Sequence, residues 1–318
     1  MNKYPKISAC IVTYNQEDLI TQCLDGVLIQ DYPGEIEIVL SDDCSTDNTD
    51  AVIKDYLATK KISENITIKY TSQEINKGYV GNLMWVLSNA TGDYIALCDG
   101  DDYWTSKDKL RKQCDFLEKN HDYSLCYTSY QSIDQEGRPI GVARSGLNKK
   151  NDADEVLQGR FLIPIRTAFS RNLSREFVPF FEKFPNPTSG DRIYPYFYAL
   201  KGKVKFFDEI TAVYRVHEGG IWTRFSVRKK IEESIKHQLI FIEHATDDQL
   251  KKDLAKKIFF RDTLSNLYFL FIKDPANNLS NILFIVKKNK SARFQLLPAA
   301  LDFSKYYLKI FKSKLRLN

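Results

Sequence analysis

Three carboxylates stand close together in the segment Asp99-Gly100-Asp101-Asp102. Carboxylates this close repel one another and raise each other's pKa unless a cation or a basic group compensates their charge. A hard divalent ion such as Mg²⁺ binds one or two protein carboxylates together with substrate phosphates, and Gly100 allows a tight turn or the close approach of a ligand. The alternative is a surface turn with solvated Asp side chains, so the surrounding elements must decide between the two.

The residues before this segment predict a buried strand that ends at it. Five apolar or aromatic residues in a row, 94–98, are too few for a core helix and are typical of a central strand. Further buried strands are predicted over 7–13, 36–40 and 66–70, and helices over 17–30 and about 48–60; residues 76–82 lead into a third helix that ends at about 89. Because strands and helices alternate, we expect an α/β fold with a mostly parallel, doubly wound sheet.

Polar residues follow three of these predicted strands at their carboxyl ends. They are Thr13-Tyr14-Asn15, Asp42-Asp43 and Asp99-Gly100-Asp101. The carboxyl ends of parallel strands meet at the same edge of a sheet, where such folds bind ligands. The sequence therefore predicts that the three motifs line one crevice.

After residue 106 the predicted strands and helices no longer alternate regularly, and from about residue 225 only helices are predicted. The predicted elements are a helix over 107–120, strands over 122–134, 139–143 and 160–169, a helix over 193–200, and short strands over 204–207 and 211–216. Residues 148–154 read as a polar loop. From about residue 225 the apolar residues follow long helical periods. We therefore expect an α/β domain, 1–224, followed by a helical C-terminal region, 225–318.

The net charge of +5 is unevenly distributed. Residues 225–318 hold 19 Lys and Arg against 9 Asp and Glu, whereas residues 1–224 have an acidic excess. A basic, aromatic-rich helical region is compatible with an anionic membrane surface, and equally with a solvated appendage or an oligomer contact. Nucleic acid is not an expected partner, because the acidic domain contains no recognisable binding module.

Composition and cysteine usage bound the class of protein. With 43% hydrophobic and 27% charged residues, the chain has the composition of a soluble globular protein. The six cysteines are scattered without a Cys-x-x-Cys pair, which favours buried free thiols over disulfides or zinc. Neither a signal-peptide pattern nor a membrane-spanning apolar run is visible, so we expect a cytoplasmic protein, peripheral at the inner membrane face if the basic region binds lipid.

The loop after the first predicted strand argues against two classes of nucleotide-binding enzyme. A dinucleotide-dependent oxidoreductase would show Gly-x-Gly-x-x-Gly after the first strand, and residues 13–17 contain no glycine. A sugar nucleotidyltransferase would have a glycine-rich, basic loop at the same place. A non-catalytic nucleotide-sugar or glycan-binding module with a degenerate site remains the alternative to an enzyme.

The strand-end motifs together resemble those of the inverting nucleotide-sugar glycosyltransferases of family 2. The resemblance covers residues 6–224, in the family's order. It rests on Ile11–Asn15, Ser41–Asp47, Asn76–Gly78, Asp99–Asp102, Gly190–Asp191 and Tyr214–Gly220. It implies the GT-A fold, with a Rossmann-like sheet flanked by helices. It also implies transfer of a sugar from a UDP-linked donor to a hydroxyl of a glycan or lipid-linked acceptor, in cell-surface polysaccharide synthesis.

By this resemblance, the nucleotide lies against the first two strand ends. Tyr14 would stack on the base, unless it is an ordinary core aromatic. Asp43 would accept a hydrogen bond from a uracil-type imide N–H, and Asp42 would orient it or contact the ribose. The family usually has Gly at the position of Cys44. The implied donor-binding set is Thr13, Tyr14, Asn15, Asp42, Asp43, Asn82, Asp99, Gly100 and Arg215.

The resemblance assigns a bound Mn²⁺ or Mg²⁺ to the acidic segment. Asp101 would bridge the metal to the diphosphate, and Asp99 would lie nearer the ribose or the metal's waters. His217 would bind the metal or the diphosphate, with Arg215 or Arg224 assisting, or it would be structural. Asp102 would either have a functional role or cap the following helix.

The resemblance also implies a general base late in the domain. Asp191 would take the proton of the acceptor hydroxyl, since inversion by direct displacement needs a carboxylate within hydrogen-bond reach. The alternative is an acidic residue favoured by the dipole at a helix start. Many relatives carry a second acidic residue where this chain has Gly190. Trp222 and residues 161–167 would border the acceptor pocket, unless they belong to the core.

Overall fold

The computed structural model describes residues 4–143, 152–157, 163–182 and 190–226, together with Lys229 and Glu233; for Asp191, Ile221 and Trp222 it describes only the backbone. The chain divides into one compact unit, Met1–Thr223, and a second, Arg224–Asn318. Most of the predicted helical region, 225–318, lies outside the described residues. The fold below is that of the first unit.

Strands and helices alternate through the first half of this unit. The strands are β1 (Ile7–Thr13), β2 (Ile36–Asp42), β3 (Ile66–Ser72), β4 (Tyr94–Asp99), β5 (Tyr103–Trp104), β6 (Tyr123–Ile133), β7 (Pro139–Ala143), β8 (Phe169–Arg171) and β9 (Lys203–Arg215). The helices are α1 (Ile20–Leu28), α2 (Thr49–Thr59), α3 (Gly78–Asn89), α4 (Lys109–Lys119), α5 (Ala153–Leu157), α6 (Ser174–Phe181), α7 (Gly190–Lys201) and α8 (Ile221–Arg224).

The first four strands form the parallel half of the sheet, in the order β3-β2-β1-β4. Every residue of β1 and β2 is buried, as expected for strands that are covered on both faces. The register places Thr13 opposite Asp42 and Val12 opposite Asp99. The predicted α/β fold is therefore confirmed, and the polar ends of β1, β2 and β4 lie at one edge.

The second half of the sheet is mixed and brings a distant strand to the acidic segment. The order continues β4-β8-β6-β9-β5, and β4–β8, β8–β6 and β9–β5 are antiparallel pairs, whereas β6 and β9 are parallel. The two-residue strand β5 directly follows the acidic segment and pairs Tyr103 with Val213. The carboxyl end of β9 therefore lies beside the carboxyl end of β4.

Three predictions for this second half are wrong in detail. Residues 163–168, predicted as part of a strand over 160–169, do not form one: a 3₁₀ turn, Ile165–Thr167, precedes the short strand β8, which begins at Phe169. The two short strands predicted over 204–216 are one strand, β9, whose register against β6 shifts opposite Ser129. Residues 153–157, partly assigned to a polar loop, form α5. Pairing with distant strands, which local periodicity does not report, decides each of these cases.

The six cysteines behave as predicted. All are free thiols, and all except the half-buried Cys44 are buried. Among the described residues, no helix is both long and apolar enough to cross a bilayer.

Candidate active site

The ends of β1, β2 and β4 are joined by backbone hydrogen bonds that continue the sheet beyond its regular part. Asp43 N–H donates to Thr13 O at 2.9 Å, and Gly100 N–H donates to Val12 O at 2.9 Å. The three motifs that sequence reasoning assigned to one crevice are therefore in contact through their backbones. This confirms the predicted convergence.

Gly100 is required at its position by the close approach of the β1 end. A Cβ atom on Gly100 would lie 2.9 Å from both Cβ and Oγ1 of Thr13 and would also meet the Gln16 side chain. The Thr13 hydroxyl is held in place by a hydrogen bond, which it donates to Gln16 Oε1 at 2.6 Å. Thr13 and Gly100 thus pack closely where the loop after β1 meets the loop after β4, and Gly100 is not part of a solvated surface turn.

The loop after β1 is fixed against the loop after β2. Asn15 has a left-handed backbone conformation, with φ of 52°, which Asn tolerates better than most residues. Its N–H donates to Ser45 Oγ at 2.9 Å, and its Oδ1 accepts from the N–H of Thr46 at 2.8 Å. Tyr14 stands between these anchors with 43% of its surface exposed. The core interpretation of Tyr14 is therefore wrong, and its ring is open to a planar partner.

Asp42 and Asp43 are both buried at the end of β2. Asp42 accepts hydrogen bonds from the hydroxyls of Ser45 and Ser72. Asp43 Oδ1 accepts from the N–H of Lys77 at 2.7 Å. Burial raises the pKa of Asp43, although the N–H groups of Lys77 and Gly78 act in the opposite direction. A carboxyl held in this way has fixed geometry and a weakened preference for charge.

Asn82 lies behind the crevice, on the face of α3 that packs against the sheet. It is 1% exposed, and its Nδ2 donates to Ser41 O at 3.0 Å. Its Oδ1 has no hydrogen-bond partner within the described part of the chain. The predicted donor contact of Asn82 stays a prediction, and the structure gives this residue a role in holding the end of β2.

Asp99, Asp101 and Asp102 each present a carboxylate oxygen to a common point, with these oxygens within 4.8 Å of one another. Asp99 and Asp101 are half-buried, whereas Asp102 is buried. Asp99 Oδ1 also accepts from the hydroxyl of Tyr79, on the first turn of α3, at 3.3 Å. Like charges this close need compensation, and an imidazole and a guanidinium contact the carboxylates of Asp101 and Asp102.

His217 is the first of these partners. Its Nε2 lies 3.0 Å from Asp101 Oδ2, across 116 positions of sequence. The pairing of β5 with β9 makes this contact, because it carries the residues after Arg215 back to the acidic turn. Arg215 itself donates from Nε to the backbone oxygen of Asp101 at 3.3 Å. Both side chains predicted to assist at the acidic segment are thus brought to it.

Arg166 is the second partner, and it compensates Asp102. Its Nε donates to Asp102 Oδ2, and the backbone N–H of Arg215 donates to Asp102 Oδ1 at 3.0 Å. Burial raises the pKa of Asp102, while the Arg166 guanidinium lowers it and the neighbouring Asp101 raises it further. Asp102 does not cap a helix, since α4 begins only at Lys109. That alternative is wrong.

Sequence reasoning did not single out Arg166 or Tyr79. Arg166 lies in the segment 161–167, which was assigned to the border of the acceptor pocket or to the core, and it is 64 positions from its partner. Tyr79 directly follows the motif Asn76–Gly78, but an aromatic residue at a helix start has no distinctive signal. Only the three-dimensional contacts identify them.

Asp191 is the second residue of α7, in keeping with its predicted place at a helix start. Its side chain lies outside the described part of the structure, so its role as a base stays a prediction. The preceding Gly190 packs directly on α3: a Cβ there would lie 2.5 Å from Leu83 Cδ2. A side chain at position 190 would therefore meet the Leu83 side chain of α3.

Comparison with known sequences shows the family. The model described as "Glycosyl transferase family 2" matches residues 8–178, more than half of the chain. The chain therefore belongs to glycosyl transferase family 2. The uncharacterized protein Rv1520 of Mycobacterium tuberculosis is 30% identical over 233 residues, which cover 73% of this chain and 65% of that protein.

A second relative is TuaG of Bacillus subtilis, which is named for glycosyl transfer in teichuronic acid biosynthesis. It is 35% identical over 139 residues, covering 44% of this chain and 52% of TuaG. The chain thus spans about two thirds of the first relative and about half of the second.

Two solved structures establish the GT-A fold. TarS of Staphylococcus aureus, in complex with UDP-GlcNAc, superposes with a TM-score of 0.62 at 21% identity, over 94% of this chain and 80% of the TarS chain. The mannosyltransferase PcManGT of Pyrobaculum calidifontis, in complex with GDP-Man and Mn²⁺, gives a TM-score of 0.58 at 15% identity, over 93% and 84% of the two chains.

Proposed function

We propose that this protein is an inverting, metal-dependent glycosyltransferase that moves a sugar from UDP to a hydroxyl of a glycan or lipid-linked acceptor, in cell-surface polysaccharide synthesis. The observation that carries the proposal is the contact between Asp101 and His217, at 3.0 Å, beside Asp99. Two carboxylates and an imidazole meet at the edge where parallel α/β sheets bind ligands, although Asp101 and His217 are 116 positions apart in sequence.

The residues at this edge fit a divalent cation. Asp102 is held by Arg166 and by a backbone N–H, whereas Asp99 and Asp101 are half-buried and each present a carboxylate oxygen, within 4.8 Å of the other, at the crevice. Oxygen ligands suit Mg²⁺ and Mn²⁺, and an imidazole is compatible with Mn²⁺. A metal held by Asp99, Asp101 and His217 would offset the negative charge of the departing nucleoside diphosphate.

The first two strand ends supply the groups expected to bind the nucleotide. The exposed ring of Tyr14 can stack on a base, and the fixed carboxyl of Asp43 can accept a hydrogen bond from an imide N–H. A uracil has such an N–H. The UDP-GlcNAc complex of TarS supports a UDP-linked donor, whereas the GDP-Man complex of PcManGT makes a GDP-linked donor the competing choice.

Asp191 is the proposed general base. Direct displacement with inversion requires a carboxylate that accepts the proton of the attacking hydroxyl on the face opposite the leaving group. Its place at the start of α7 is compatible with that role. Replacement by Asn, which keeps size and polarity, should abolish transfer and leave UDP binding near that of the wild-type protein.

The basic region 225–318 is proposed to hold the enzyme at an anionic membrane surface on the cytoplasmic side, where lipid-linked acceptors would be presented. Its excess of Lys and Arg supports this proposal, because each basic residue near such a surface contributes about 1 kcal/mol. Deletion of residues 287–318 should reduce co-sedimentation with anionic vesicles. Unchanged sedimentation would remove the membrane from the proposal.

The decisive experiment is a donor screen. Wild-type protein would be incubated with UDP- and GDP-sugars and Mn²⁺, Mg²⁺ or a chelator, and nucleotide release would be measured. We expect metal-dependent release from one donor, lost in Asp101→Asn and retained in Asp55→Asn, a control on the exposed face of α2. Full activity of Asp101→Asn, or turnover with chelator, would overturn the mechanism. Donor binding without turnover of any acceptor would favour the non-catalytic module.

A further inference from the structure

Arg166 makes contacts that single it out among the basic residues of the domain. Its side chain is 10% exposed and lies against Asp102, whose side chain is fully buried. An arginine in this position is largely shielded from solvent. Its charge faces the carboxylate of Asp102, which belongs to the turn that carries Asp99 and Asp101.

The guanidinium of Arg166 is also enclosed by aromatic rings. It lies 4.1 Å from the ring centroid of Tyr214 and 5.2 Å from that of Tyr130. Tyr214 directly precedes Arg215 near the end of β9, and Tyr130 is on β6. Cation–π contacts of this kind gain strength when the cation is desolvated. The side chain therefore has one orientation available, with its Nε towards Asp102.

The backbone at Arg166 is held as firmly as its side chain. Trp104 Nε1 donates to Arg166 O at 2.9 Å, and Gln113 Nε2 donates to Thr167 O at 3.1 Å. Trp104 is two residues after Asp102, so the same short segment holds Arg166 by both its carbonyl and its guanidinium. The 3₁₀ turn, β5 and α4 thus form one rigid support beneath the acidic turn.

Asp102 joins this support to the end of β9. One carboxylate oxygen accepts from Arg166, and the other accepts from the backbone N–H of Arg215 at 3.0 Å. Arg215 is two residues before His217. The position of the His217 ring relative to Asp101 therefore depends on the Asp102 carboxyl group, and Arg166 holds that group in place.

We propose that Arg166 is a positioning residue for the metal site: by holding the Asp102 carboxyl group in place, it sets the distance between Asp101 and His217. The proposal rests on the proposed function, since it assumes that Asp99, Asp101 and His217 bind a divalent cation. Partners that orient metal ligands without touching the metal commonly change its affinity by about 10–100-fold when they are lost.

A purely structural role would give a different pattern of effects. Loss of one partner of a buried ion pair destabilises a protein because it leaves the other charge unpaired. Removal of both partners restores much of that stability, since neither charge then remains alone. A positioning role predicts that metal affinity is not restored with it, because the guanidinium that holds the side chain at position 102 in place is still missing.

The matched control is Arg171, on β8. It too is a partly buried arginine bound to the protein through its guanidinium, which donates to the backbone oxygens of Tyr123 and Leu117. It lies away from the acidic turn. Arg171→Met should therefore lower stability without changing the metal site.

The test is a calorimetric titration of Mn²⁺ in the presence of UDP, with thermal unfolding measured in parallel. The variants are Arg166→Met, Arg166→Lys, Asp102→Asn with Arg166→Met, and Arg171→Met. We expect Mn²⁺ affinity to fall by about tenfold or more in the three variants at position 166, including the double variant with recovered stability. Arg171→Met should bind Mn²⁺ as the wild-type protein does.

Arg166→Lys covers the case in which the methionine variant does not fold, because it keeps the charge but lacks the planar guanidinium. Wild-type Mn²⁺ affinity in Arg166→Lys or in the double variant would overturn the proposal, and so would the absence of Mn²⁺ binding to the wild-type protein. Normal Mn²⁺ binding without sugar transfer would instead count against the proposed function and leave the role of Arg166 standing.

Discussion

His217 Nε2 lies 3.0 Å from Asp101 Oδ2, and the two residues are 116 positions apart. The contact depends on two long-range features, the antiparallel pairing of β5 with β9 and the hydrogen bond from Arg215 N–H to Asp102. A histidine held in this way beside two carboxylates has a fixed place in the site before any ligand arrives. It follows that its removal should affect metal binding more than folding.

The first prediction is that His217→Ala weakens Mn²⁺ binding by at least about tenfold, because an outer or inner partner of the metal is lost. The unfolding temperature of His217→Ala should stay close to that of the wild-type protein, since the His217 side chain lies at the crevice rather than in the core. Calorimetric titration with Mn²⁺ and UDP measures the effect. His121→Ala is the control, on the exposed turn after α4. Equal Mn²⁺ affinity of the two variants would show that His217 is structural.

The sequence predicted the parallel half of the fold closely, and the reason is local. Strand β1 was predicted at its observed bounds, and the ends of β2 and β4 followed from apolar runs that stop at acidic residues. In this half, strands that follow one another in sequence are separated by single helices. Parallel topology then dictates where the strand ends lie.

The second half of the domain could not be predicted in the same way, because its pairings join distant segments. The two residues of β5 are too short for any periodicity, yet they align β9 with the acidic turn. Arg166 reaches Asp102 from a 3₁₀ turn that was predicted as a strand. The sequence therefore identified the acidic cluster, but not the arginine that compensates its buried member.

A second prediction concerns Gly100, which packs against the end of β1. Gly100→Ala would place its Cβ 2.9 Å from Thr13 Oγ1, and overpacking of this kind typically costs about 1–3 kcal/mol. We expect lower stability in urea unfolding together with weaker UDP binding, because both loops must move apart. Gly141→Ala is the control, since a Cβ there meets nothing within 4 Å. Similar losses in both variants would contradict the proposed close packing.

A third prediction concerns Cys44, whose φ of 61° lies in the left-handed region. That conformation costs a residue with a side chain roughly 1–2 kcal/mol, whereas Gly loses about 0.5–1 kcal/mol of extra chain entropy on folding. Cys44→Gly should therefore stabilise the protein by up to about 1 kcal/mol. Cys44→Val should destabilise it, because β-branched residues avoid positive φ.

Urea unfolding midpoints of these two variants check the prediction for Cys44. Gly137→Ala calibrates the measurement: Gly137 has a φ of 80° and open space around it, so its substitution reports the backbone cost alone. A stabilising Cys44→Val would show that the turn after β2 relaxes to another conformation.

The last prediction uses Glu37, a carboxylate at the opposite end of the sheet from the proposed active site. Its side chain is 0% exposed and contacts Lys69 Nζ at 2.8 Å and Ser8 Oγ at 2.6 Å. Burial raises its pKa, but the hydrogen bonds from Lys69, Ser8 and Thr91 outweigh it and lower the pKa from 4.5 to about 2. A carboxyl with a lowered pKa in the folded state stabilises the fold above its unfolded pKa, and that contribution is lost as the pH falls from 4.5 to about 2.

Glu37→Gln should therefore be less stable than the wild-type protein at pH 7, by up to about 3 kcal/mol. The difference should narrow steadily between pH 4.5 and pH 2, because the wild-type carboxylate becomes protonated there. Chemical unfolding at several pH values measures it. Glu35→Gln is the control: Glu35 forms a partly exposed ion pair with Lys6, and such pairs contribute at most about 1 kcal/mol. A difference between Glu37→Gln and the wild-type protein that does not change with pH would mean that hydrogen bonding at this site, rather than charge, stabilises the sheet.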